Sequence, residues 1–151
     1  MGPSKRGDMP EETKTHSIVA ADAPLEVIRE AFKGDRYATE SLNAQVDVAE
    51  IGHAIVSMKL EPRHRNAIGR VMGGVYFTLG DFSYAVAANV GQPHTVSVSH
   101  VIDMIAAAKG DELYAECTLE KSGRRLLFAR IVITDGEGRL CARMNITGTR
   151  V

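Results

Sequence analysis

The stretch from Arg70 to Val90, RVMGGVYFTLGDFSYAVAANV, limits the fold more than any other part of the chain. It reads as one helix that is apolar on nearly every side, so its neighbours must bury most of its circumference. It is entered through Gly73-Gly74 and followed by Gly91, a natural helix stop. Past Arg70 its only charged residue is Asp81. A carboxylate buried without a partner is strongly unfavourable or gives up its charge. Asp81 therefore needs an ion-pair partner, a gap to solvent, a cleft or an interface.

The flanking sequence supplies the material to wrap such a helix. Residues 1–22 mix Gly, Pro, Lys, Glu and Thr without period and are expected to be a mobile tail, leaving one domain over 23–151. DAPLEVIREAFKGD predicts a short amphipathic helix, with Asp22 or Ala23 as cap, Pro24 in the first turn, and Leu25, Ile28 and Phe32 on one face. Residues 42–61 alternate apolar and polar and break at Gly52-His53, which predicts two strands around a tight turn. PRHRNAIG is a loop. After the apolar helix come four strand-like runs: HTVSVSHVIDMIAA, ELYAECTLEKS, RRLLFARIVITD and RLCARMNITGTRV. Turns at Lys109-Gly110-Asp111, Gly123 and Gly136-Glu137-Gly138 separate them. There is no βαβ alternation and no internal repeat. The order predicts an α+β fold, an antiparallel sheet curved around one long central helix. Open sheet edges and so apolar a helix call for a second copy to cover them.

Composition narrows the function. A net charge of −1, with 44% hydrophobic and 25% charged residues, excludes the basic surplus of a nucleic-acid binder. It also argues against a membrane-surface protein, and no apolar run has membrane-spanning length without polar interruption. The N-terminus lacks a signal-peptide pattern, so the expectation is cytoplasmic. Cys117 and Cys141 lie in apolar segments and read as reduced, buried thiols. The five histidines, His16, His53, His64, His94 and His100, form no HxxxH or HxH pair, and no metal site is expected.

Two features of the apolar helix carry chemistry. Gly73-Gly74 puts backbone N–H groups without intrahelical partners at the positive end of the helix dipole, where a backbone without Cβ lets a ligand approach. Such a place suits an oxyanion or a polarised carbonyl, although plain helix entry accounts for the glycines equally well. Asp81 has Phe77, Tyr84 and Ala88 at helical spacing, off the Val75-Leu79-Phe82-Val86 stripe. Gly73 and Asp81 are eight residues apart, roughly 12 Å along the axis. One aspartate cannot reach a carbonyl bound at its own helix start. If both act on one carbonyl, they come from different subunits on antiparallel helices.

The run from Asn66 to Asp81, NAIGRVMGGVYFTLGD, resembles the Asn-x-x-Gly-x-x-His-Gly-Gly-x-x-x-x-Leu-x-Asp pattern of the PaaI-like acyl-CoA thioesterases of the hot-dog fold. The order of elements over roughly residues 24–150 is similar to theirs, as are VSVSHVIDMIAAAKGDELYAE and the last hairpins. The resemblance implies hydrolysis of an acyl-CoA thioester. The Gly73 N–H would polarise the carbonyl, and Asn66 would position it or the attacking water. Asp81 of the neighbouring subunit would act as general base or as nucleophile. Ser99, 18 residues past Asp81, matches a position where some members hold the water. The resemblance also implies a homodimer and a dimer of dimers, with CoA as part of the substrate and no separate cofactor.

The chain departs from that pattern at Met72, which stands where the family has His and cannot donate a hydrogen bond. Either the Gly73 backbone suffices, or the protein binds acyl-CoA without turning it over well. Ala106 and Ala107 stand where relatives often have Arg-Pro before the Ala. Substrate contacts are expected from Met72, Gly74, Phe77, Tyr84 and Met104. Arg124 is expected near the CoA phosphates, with Arg125, Lys109 and His64 as weaker candidates. A hot-dog enoyl-thioester hydratase ranks last, because residues 81–90 contain no histidine to pair with Asp81.

Overall fold

A computed structural model describes residues 17–151. Helix α1, Leu25–Phe32, follows Pro24, whose extended backbone (φ −57°, ψ 148°) starts it. Its apolar face buries Ile28 and Phe32, and Arg29 Nε donates to Val46 O at 2.8 Å, fastening the helix to the first strand. A π-helical turn, Tyr37–Ser41, comes next, in a segment with no periodicity to announce it. The strands are β1 (Gln45–Glu50), β2 (His53–Lys59), β3 (Thr95–Met104), β4 (Glu112–Ser122), β5 (Leu126–Asp135) and β6 (Leu140–Arg150). They form one six-stranded sheet in the order β1-β2-β4-β5-β6-β3, with every pairing antiparallel.

The central helix α2, Gly73–Asn89, lies against the concave face of this sheet. Val75, Leu79, Phe82 and Val86 are buried as expected from their spacing, and so are Tyr84 and Ala88. Two glycines set how closely helix and sheet approach. A Cβ on Gly80 would overlap Met144 Sδ of β6, and a Cβ on Gly148 of β6 would overlap the Tyr84 hydroxyl. What remains open on α2 is its start at Gly73 and Gly74 and one stripe beyond it, Phe77, Thr78, Asp81 and Ala85, at helical spacing on a single side.

Three expectations need revision. The helix starts at Gly73, not Arg70, because Val71 bridges Arg65 and the Met72 N–H donates to His64 O at 3.0 Å, which holds Val71 and Met72 extended. Residues 1–16 of the expected tail lie outside the described residues. Of its remainder, Val19 is buried, bridges Val90 and accepts from the Gly91 N–H, so the packed body begins before residue 23. Gly91 itself has φ +63° against Ala21, where a side chain would be strained. The first strand of the final four, β3, is shorter than read, ending at Met104.

Strand β3 is a sheet edge, and it leaves Val96, Val98, Val101 and Met104 exposed. An apolar edge this long is a template for pairing with another chain. Among the described residues, no helix is long and apolar enough to cross a membrane. Both cysteines are free and buried. Burial pushes the Cys117 thiol up to about 12.

Candidate active site

Helix α2 begins without a cap. Met72 occupies the N-cap with extended backbone (φ −65°, ψ 138°) and no side-chain bond, and the first turn carries no acid. Among the described residues, the Gly73 and Gly74 N–H groups donate to no protein acceptor. The uncompensated positive end of the helix therefore faces a cavity of about 280 Å³, lined by Asn66, Arg70, Gly73, Tyr76, Met104 and Ala107 among others. Asn66 is tied into its loop: its Oδ1 accepts the Ile68 N–H at 3.1 Å and the Arg70 N–H at 3.0 Å. Those bonds commit the carbonyl and leave the side-chain NH₂ as the donor at the cavity. The far wall is held by Cys141 O, which accepts from the Ile105 and Ala106 N–H groups at 2.8 and 3.1 Å. Asn66, Gly73 and Met104, all singled out in the sequence, thus line one cavity, and the Met104 methyl end would lie 3.2 Å from a Cβ on Gly73.

Asp81 opens on a different cavity, of about 340 Å³, lined by Asp35, Arg36, Tyr37, Ala38, Thr78 and Phe82. Its side chain is 44% exposed. The partner from β3 is His100, whose Nε2 lies 2.7 Å from Asp81 Oδ1 and whose side chain is only 16% exposed. Phe77, one turn before Asp81, stacks on the His100 ring with centroids 4.7 Å apart and planes at 37°. Across the cavity, Asp35 has its carboxyl raised above the usual range, first by burial and then by the Asp81 charge. Gly73 and Asp81 therefore sit on separate cavities of one chain, in keeping with the 12 Å estimate.

His100 went unrecognised in the sequence. Opposite residues of an antiparallel pair share a face, and His100 lies opposite the buried Ile146, so it points toward α2. Ser99 lies opposite Thr147 on the outer face and is exposed, so within the chain β3 offers Asp81 an imidazole, not the expected serine. The ground for ranking a hydratase last fails with it, since a histidine does reach Asp81 from outside residues 81–90.

Other expected contacts fare differently. Tyr84 is 2% exposed, packed under Gly148, with its hydroxyl buried and without a partner among the described residues, so it belongs to the core and not to an acyl pocket. Burial raises its phenol to about 12. His64 is buried: Nδ1 accepts from the Glu61 N–H at 3.0 Å and Nε2–H donates to Ser41 O at 2.9 Å, which spends both nitrogens on joining the loop to the π-helical turn. Met72 is 58% exposed and shares a third cavity, about 290 Å³, with Gly74 and Tyr37. Arg124 and Arg125 are exposed at the β4–β5 turn, where Arg125 O accepts from the Arg150 N–H at 2.9 Å beside the start of β3. Gly73 lies at the other end of β3, by Met104, roughly 30 Å away at the strand rise. Among the described residues, no three metal-ligating side chains converge.

The sequence profile of the thioesterase superfamily matches residues 68–142, which include Gly73, Asp81 and His100. A Deinococcus radiodurans protein bearing a provisional esterase name is 30% identical over 96 residues, 64% of this chain and 62% of that one. The match thus spans less than two thirds of that relative. The Escherichia coli PaaI protein from the phenylacetic acid degradation operon superposes with TM-score 0.77 at 21% identity, covering 84% of this chain and 93% of that one. A thioesterase-like protein of Streptococcus pneumoniae TIGR4, solved with coenzyme A, superposes with TM-score 0.74 at 24% identity over 80% and 96% of the two chains. The antiparallel sheet wrapped on α2 is the hot-dog fold with a PaaI-like architecture, and residues 68–142 match the thioesterase superfamily.

Proposed function

We propose that the protein hydrolyses an acyl- or aryl-CoA thioester to the free acid and CoA at a site shared by two copies of the chain. The observation that carries this reading is the pairing of an uncapped, donor-bearing helix start at Gly73 with a half-open carboxylate, Asp81, on a helix whose other side is buried. In the proposed reaction the thioester oxygen accepts the Gly73 N–H, with the Asn66 NH₂ beside it. Asp81 of the other copy takes a proton from water as the water oxygen attacks the carbonyl carbon. The tetrahedral oxyanion collapses, the C–S bond breaks, and the departing thiolate takes up the proton. Attack by Asp81 itself, through an acyl-enzyme anhydride, gives the same products.

The second copy is supported by the open stripe of α2 and the exposed edge of β3. A copy paired antiparallel across β3 would bring its own Arg124 turn to the Gly73 end, where the CoA phosphates need cations. Phe77, Met72, Gly74 and Met104 remain candidates for the acyl and pantetheine contacts. The homodimer, and a dimer of dimers, are part of this reading. The coenzyme A held by the S. pneumoniae relative is compatible with the substrate class.

Thiol release across an acyl-CoA panel tests the reading, and Asp81→Asn should abolish it. Tight binding without turnover would favour a non-catalytic acyl-CoA module, which the missing donor at Met72 supports; Met72→His would then raise the rate. Loss of enoyl absorbance without thiol release would favour hydration, the reading that the Asp81–His100 pair brings back into view.

A further inference from the structure

We propose that His100 is the positioning residue for Asp81, fixing which carboxylate oxygen is free to react. The inference rests on the hydrolase reading above. Of the two groups, Asp81 is the one open to a substrate, at 44% exposed against 16% for His100. The imidazole is clamped from two sides. Its Nε2 is spent on Asp81 Oδ1 at 2.7 Å, and its ring face is covered by Phe77 at 4.7 Å. Among the described residues, Asp81 has no other side-chain hydrogen bond. Oδ1 is therefore held and Oδ2 is left to face water or the thioester carbon. The register of β3 against β6 explains how the ring arrives there, since a bulge at Ser97/Ser99 resets the alternation just before His100.

Among the described residues, the charged and titratable groups around the pair include Asp35, Arg36 and Tyr37 from the segment after α1, Asp81 and Tyr84 from α2, and His100 from β3. Through Nε2–H, His100 donates to Asp81 Oδ1 and holds the carboxylate in one orientation.

The test uses the intact protein and its best acyl-CoA substrate. His100→Ala should lower kcat about 10- to 100-fold with KM little changed, since only alignment is lost. His100→Gln offers an amide N–H in place of Nε2–H, so it should recover most of kcat. Heteronuclear NMR of the imidazole should show the Nε2–H tautomer in the wild type and a changed signal in Asp81→Asn; this holds even if His100→Ala fails to fold. His100→Ala within twofold of wild-type kcat, His100→Gln as slow as His100→Ala, or an imidazole signal indifferent to Asp81→Asn would each overturn the proposal. Persistent activity of Asp81→Asn would instead remove the hydrolase mechanism on which it rests.

Discussion

Gly73→Pro isolates a single N–H. Proline is favoured at the first position of a helix, which needs no N–H for intrahelical bonding. The preceding Met72 already has the extended backbone, φ −65° and ψ 138°, that a following proline requires. The nearest atom to a new Cβ is the Met104 methyl at 3.2 Å, the far end of a flexible side chain that can shift by a few tenths of an ångström. The structural cost should accordingly be small, with the melting temperature within about 3 °C of wild type, since 1 kcal/mol moves a domain of this size by about 2–4 °C. The catalytic cost should not be small. Loss of one oxyanion donor lowers kcat by about 10²- to 10³-fold, or about 3–4 kcal/mol of transition-state stabilisation. Gly73→Ala adds the Cβ but keeps the N–H, and should retain most of the rate. Thiol release and thermal denaturation on the three proteins give the comparison. A folded Gly73→Pro within threefold of wild-type kcat would refute the assignment of this backbone group to the thioester oxygen.

Tyr84→Phe removes a hydroxyl that is buried without a partner among the described residues, so chemical denaturation should show the variant at least as stable as wild type, by about 0–1 kcal/mol, with kcat unchanged; a loss above 1 kcal/mol would show that the hydroxyl is satisfied. Asp135 accepts backbone N–H bonds from Lys109 at 2.9 Å and from Glu137 and Arg139 at 3.0 Å each, and the bond from Lys109 is the largest cause of its lowered carboxyl pKa. Its contribution to stability is therefore present above the ordinary carboxylate range and disappears as pH falls through the depressed folded value. In Asp135→Asn, urea midpoints should be lower at neutral pH and should drop less on acidification; equal acid sensitivity in the two proteins would refute this.

The helix and strands were legible because their periodicities differ and because Gly52, Gly91 and Gly138, all at positive φ, mark turns. Asp81 was legible as a lone charge in an apolar run. Tyr84 misled because α2 is apolar all round, so spacing alone could not separate a neighbour of Asp81 from a core residue three positions on. The signal that could have placed it is Gly148, a glycine inside a strand where a ring needs the room. His100 was hidden by the bulge in β3. Simple alternation does not survive an extra residue, and only the pairing with β6 shows that His100, not Ser99, shares the helix side. The π-helical turn at Tyr37–Ser41, with Asp35 just before it, was missed because its segment carries no apolar period.

The claim that each site takes Gly73 from one copy and Asp81 from the other is tested most directly by mixed dimers. Gly73→Pro and Asp81→Asn are each expected to be inactive alone. Co-expressed under two different tags and purified through both, a mixed dimer sharing its sites would hold one intact site and one doubly damaged site. Its thiol-release rate should be about half that of wild type. A mixed dimer as inactive as its parents would show that both groups act within one chain, contradicting the shared site.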